Sequence, residues 1–119
     1  MQINGVELEY NYCEVETNRK MHEAIDAVIE DTTKTTGSPE HIADDMCIIC
    51  TSAKNAFDHI FGKGTGNKVC GEKNDLTVCV NALAKLVDEM KQQRKKLDEA
   101  VKRFNNMLSE PEDDVVEET

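Results

Sequence analysis

The chain has 119 residues with 14 Lys+Arg against 24 Asp+Glu, a formal net charge of −10, 39% apolar residues and only 4% aromatic ones. That length suits one small domain of roughly 100–200 residues, and the acidic balance argues against nucleic-acid binding, which uses basic surface to displace phosphate counterions. No apolar run approaches the roughly 18–20 residues of a membrane span, and the start, Met1-Gln-Ile-Asn-Gly5, lacks a basic and then apolar leader, so a cytoplasmic, membrane-free protein is expected.

The first element in chain order is a hairpin. Asn4-Gly5 is the dipeptide that a type I′ turn prefers, because both central residues need positive φ. With that turn Ile3 faces Val6 and Met1 faces Leu8. The strand then continues with Val6, Leu8, Tyr10 and Tyr12 on one face and Glu7, Glu9 and Asn11 on the other. A two-stranded hairpin is marginal alone, so its apolar face requires cover.

From about Thr17 the period becomes helical, with Met21, Ala24, Ile25, Val28 and Thr32 on one side. The run Thr32 to Gly37 breaks this helix, and Ser38-Pro39 supplies an N-cap and a proline suited to a first helical turn. A second helix follows on Ile42, Met46, Ile49, Ala53, Ala56, Phe57 and Ile60 and stops at Gly62. The glycine-rich stretch Gly62 to Lys68 is expected to be a flexible connection. It fails the phosphate-loop pattern, since Asn67 stands at the second glycine position, Val69 replaces the hydroxyl, and a helix rather than a strand precedes it.

A third helix starts near Asn74 or Asp75 and is expected to run to about Leu108, before Pro111. Leu76, Val80, Leu83, Val87 and Met90, then Leu97, Val101, Phe104 and Leu108, recur at alternating steps of four and three, with Arg94 in the one gap. This is a heptad seam. The half from Leu76 to Met90 is expected to be bundle core. Thirty-four residues make a rod of roughly 50 Å, whereas a compact chain of this length has a radius of gyration of about 13–14 Å. The end of the rod must therefore leave the body, bend back, or meet a partner. Leu97, Val101, Phe104 and Leu108 are the candidate partner-binding residues, either for a self-associating coil or for another protein's helix.

The charge is distributed by segment. Residues 1–60 carry twelve acids and four bases, 61–90 four of each, 91–108 two acids and six bases, and 109–119 six acids and no base. The basic stretch (Lys91, Arg94, Lys95, Lys96, Lys102, Arg103) reads as a solvated helix face. The acidic segment 109–119, read as a disordered tail, is suited to masking it.

No constellation for catalysis or metal binding stands out. Cys47 and Cys50 form a Cys-x-x-Cys within a helix, but Cys70 and Cys79 have eight residues between them, unlike the tight knuckles of structural zinc sites. Five cysteines without a leader fit reduced thiols, and Cys50 reads as a small buried hydrophobe. His22, His41 and His59 fall on separate elements without ligand spacing. No nucleophile or general base is nominated, so the expectation is a non-enzyme with no cofactor and no metal.

The string from Phe57 to Leu76, with the opening Ile3-Asn-Gly-Val-Glu-Leu-Glu-Tyr10, resembles a family of small proteins encoded in tailed phages and prophages of Gram-positive bacteria. That resemblance covers most of residues 1–93 and implies a hairpin followed by helices, no catalytic residues, and the role of a tail assembly chaperone in the host bacterial cytoplasm. Its partner would be an apolar helical protein such as the tape-measure protein. The alternative is a structural, self-assembling tail or prophage protein without a chaperone role. The fold expected is α+β and mainly helical, one domain over residues 1–108, with the hairpin packed on three helices of which the third is long.

Overall fold

A computed structural model describes the backbone of residues 1–117 and the side chains of residues 1–109. The fold is α+β and mainly helical. Strands β1 (Gln2–Ile3) and β2 (Val6–Glu7) precede helices α1 (Val15–Thr32), α2 (Ile42–Phe61), α3 (Thr65–Cys70) and α4 (Leu76–Glu117), and a short 3₁₀ turn (Pro39–His41) leads into α2. Helix α4 continues past Leu108, the expected end of the third helix, to Glu117; the side chains of the acidic segment beyond Ser109, expected as a tail, lie outside the described residues.

The hairpin forms as its turn residues dictate. Asn4 (φ 52°) and Gly5 (φ 82°) both take positive φ, β1 and β2 are antiparallel with Ile3 opposite Val6, and the Leu8 amide donates to the Met1 carbonyl at 2.8 Å. Strand pairing ends at Glu7, earlier than the sequence alternation suggests. The alternation itself continues without a ladder, since Leu8 and Tyr12 are buried, Tyr10 is half-buried, and Glu9 and Asn11 are exposed. Side chains from other elements hold this extended segment. The Gln93 amide donates to the Tyr10 carbonyl at 2.9 Å and accepts from the Tyr12 amide at 2.6 Å, and Asn4 donates to the Val69 carbonyl at 2.8 Å.

Local chemistry sets the helix ends. Glu14 caps α1 through the Thr17 amide at 2.8 Å, two residues earlier than the periodicity indicates. Ser38 caps the 3₁₀ turn with Pro39 at its first position, and α2 stops at Gly62 (φ 114°), a backbone conformation that disfavours other residues. Buried Asp45 fastens the α1–α2 connection by accepting from the amides of Thr36 and Gly37, each at 2.9 Å.

The glycine-rich stretch is not the flexible connection expected from the sequence. It turns at Gly64 and forms α3, docked on α2. Gly66 sits so close to α2 that an added Cβ would lie 2.3 Å from the Lys54 carbonyl oxygen, and its amide donates to Asp58 at 2.7 Å. The composition pointed to mobility, whereas the missing side chain serves a close helix–helix approach.

Helix α2 is central, packed against α1, α3 and α4. The core joins Ile3, Leu8 and Tyr12 to Met21, Phe57, Ile60, Val69, Leu86 and their neighbours. Ile42, expected on the apolar face of α2, is the first residue of that helix and is exposed instead. The molecule is long, with extents of 75 × 30 × 19 Å and a radius of gyration of 19.7 Å, well above the compact value, because α4 continues past the body. No helix among the described residues is long and apolar enough to cross a membrane.

Candidate functional site: an apolar groove and an uncovered helix face

The body buries a different stripe of α4 from the one that the heptad pattern suggests. Cys79, Ala82, Leu86 and Met90 are buried against α2, and Gln93 follows on the same side. Of the positions expected as bundle core, Met90 is buried, Leu76, Leu83 and Val87 are half-buried against the core and Val80 is 43% exposed, so the centre of the contact is shifted from the expected seam to Cys79, Ala82 and Leu86. The reason is steric. Small Cys79 and Ala82 let α4 approach α2 closely, and the bulkier Leu83 and Val87, about a quarter-turn round the helix, are left at the edge of the contact.

That displacement leaves a groove with a cavity of about 80 Å³. Ile25, Val28 and Ile29 of α1 form one wall and Leu83 and Val87 of α4 the other, over a floor of Ala24, Ala56, Ile60 and Leu86, so every side chain is apolar. Ile29, at its mouth, is 61% exposed. Sequence reasoning missed this groove. Its one available signal is that α1 carries Ile29 beside Ile25 and Val28, an apolar face wider than a single helix contact needs.

Beyond Gln93 the body ends and α4 projects. Leu97 still packs partly against the core. Val101, Phe104 and Leu108 are 50%, 54% and 63% exposed. At about 100° per residue, Leu97, Val101, Phe104 and Leu108 lie within roughly 40° of the line through Cys79, Leu86 and Met90. The projecting segment thus prolongs the face that the body buries. Lys96, Lys102 and Arg103 are exposed on the remaining surface of the same segment, Lys102 and Arg103 on its outer face.

The other candidate groups are quiet. Cys50, Cys70 and Cys79 meet in the core. Burial raises all three thiols, that of Cys50 to about 11, so they stay protonated at neutral pH and make poor nucleophiles. Cys13 and Cys47 are exposed. Among the described residues no group of three or more His, Cys, Asp or Glu is placed to hold a metal ion. The histidines make separate contacts, His22 with the Tyr12 hydroxyl and His59 with Glu23 at 2.8 Å.

A family model described as a family of unknown function, DUF6673, matches residues 4–112, from the hairpin turn through the projecting part of α4. The chain belongs to the DUF6673 family. The match therefore takes in both the groove and the uncovered stripe. No curated protein and no solved structure matches the chain.

Proposed function

We propose that this protein is a helix-binding protein of the tail assembly chaperone kind, which covers apolar helices of a partner such as the tape-measure protein and keeps them soluble in the host bacterial cytoplasm. One observation carries the reading: an all-apolar groove and an uncovered apolar helix face occur on one chain of net charge −10. An amphipathic helix lays its apolar face into such a groove with anchors at intervals of three and four residues, and the acidic body keeps coated complexes apart and in solution.

The test is co-expression with an apolar helical stretch of a tape-measure protein. The soluble fraction of that stretch should rise and the two should co-purify, and the double variant Val101→Glu, Phe104→Glu, with its helical circular dichroism unchanged, should lose both effects. If the wild-type chain neither solubilises nor retains the stretch, the reading fails. The alternative, a structural self-assembling subunit, is favoured by the opposite charges of the basic segment 91–108 and the acidic residues 1–60. Mass spectrometry of purified particles separates the two, since a subunit remains in the particle and a chaperone does not.

A further inference from the structure

We infer that the occupant of the α1–α4 groove in the protein by itself is the projecting end of α4 from a second copy, each chain's Leu97–Leu108 stripe filling the other's groove. This proposal does not rest on the chaperone reading, since the exchange requires no other protein. Three helices already form the walls and floor of the groove, so a fourth helix completes a four-helix arrangement.

The stripe cannot reach the groove of its own chain. Both lie on one continuous helix, α4, and Val101 is fourteen residues beyond Val87, about 21 Å along the axis. Only another molecule brings the two surfaces together. Their sizes agree, since Met21 to Ile29 span about 12 Å of the groove wall and Leu97 to Leu108 about 17 Å of stripe. Their charges agree at the level of the segment: exposed Asp26 and Glu30 border the groove on α1, and the helix that carries the stripe is basic, with Lys96 toward one side of the stripe and Lys102 and Arg103 on its outer face. The basic segment 91–108 thereby meets the most acidic part of the chain, residues 1–60.

Reciprocity fixes the direction. In a two-fold dimer with parallel α4 helices each residue meets its own copy, and stripe would meet stripe. Stripe meets groove only if the α4 helices run antiparallel. The alternating four-three spacing tolerates that reversal. When Leu83 of one copy meets Val101 of the other, Val87 meets Leu97, Val80 meets Phe104 and Leu76 meets Leu108, and at the two-fold axis Arg94 lies opposite Met90, which its own body buries. This register also covers Val80, which the single chain leaves 43% exposed.

The experiment combines light scattering with cross-linking on the full chain. The wild type should show twice the 13.4 kDa chain mass. Ile29→Glu and Phe104→Glu, one in each surface, should each weaken the dimer by more than about tenfold, because each places a charge in a desolvated contact. Circular dichroism on both variants separates this from unfolding. With Cys13 and Cys47 replaced by Ser throughout, a mixture of Leu83→Cys and Val101→Cys chains should form a mixed disulfide dimer on mild oxidation, faster than either chain alone. Four results overturn the proposal: a monomeric wild type at 100 μM, a dimer that Ile29→Glu leaves intact, cross-linking of Val101→Cys chains chiefly to each other, or no mixed disulfide. If the dimer is absent and the apolar stretch is still bound, this inference falls and the chaperone reading stands. The converse result reverses that outcome.

Discussion

The two halves of α4 carry the same kind of seam and meet opposite fates. From Leu76 to Gln93 the helix lies on the body, with Cys79, Ala82 and Leu86 fully buried; beyond Leu97, which still packs partly against the core, the same face runs on, and Val101, Phe104 and Leu108 are half or more exposed. Hydrophobic spacing thus marks a face able to be covered, while burial depends on whether another element stands opposite. A soluble chain that continues an apolar stripe past the end of its body presents a surface for association.

The largest expected effect tests that contrast directly. Leu86→Ala should destabilise the fold by about 2–5 kcal/mol, the range for emptying a packed leucine site. Leu108→Ala, on the same helix, should change stability by less than about 0.5 kcal/mol at concentrations where the chain is monomeric. Urea denaturation followed by circular dichroism measures both, and equal losses would mean that the projecting segment is as well covered as the body.

Gly66→Ala should cost about 1–3 kcal/mol through overpacking. The added Cβ meets backbone, the Lys54 carbonyl oxygen at 2.3 Å and its Cα at 2.7 Å, so α3 must move away from α2. Alanine at exposed Gly37, where an added Cβ meets nothing within 4 Å although φ is 74°, isolates the backbone contribution. A Gly66→Ala chain as stable as the wild type would show that the α2–α3 contact is loose.

The smallest effect is electrostatic and confined to the α1–α2 connection. The amides of Thr36 and Gly37 hold the Asp45 carboxyl below its ordinary value of 3.8, against the opposing effect of burial. Because the folded pKa is depressed, the stabilisation is present above the unfolded pKa and is lost as pH falls through the folded one. Asp45→Asn should therefore lower stability at pH 7, and the gap to wild type should close below about pH 4. A gap independent of pH would mean that the carboxylate's charge plays no part in holding the connection.

Much of the fold was legible from short-range rules. Asn4-Gly5 announced the hairpin, Ser38-Pro39 the start of the second helical segment, and Gly62 its end, because each acts through the backbone conformation of its own residue or its immediate neighbours. The four stripe residues were legible for the same reason. The groove was not, since its walls come from Ile25 and Ile29 on one helix and Leu83 and Val87 on another, more than fifty positions apart. Gln93 was equally opaque: an amide in a basic helix gives no sign that it will bind the backbone of Tyr10 and Tyr12.

The opening charge count takes on a different meaning in this light. As a total, −10 spoke only against polyanion partners; by segment, it sets an acidic body against a basic projecting helix. The sequence by itself determined the hairpin, the long helices, the seam and that segregation of charge, all of which follow from local conformational preference and periodicity. Only the tertiary structure decided that small Cys79 and Ala82 face α2, that Gly66 is a packing residue, and that α1 and α4 stand apart over an apolar floor. Those outcomes depend on distances between side chains far apart in sequence, which helical periodicity does not encode.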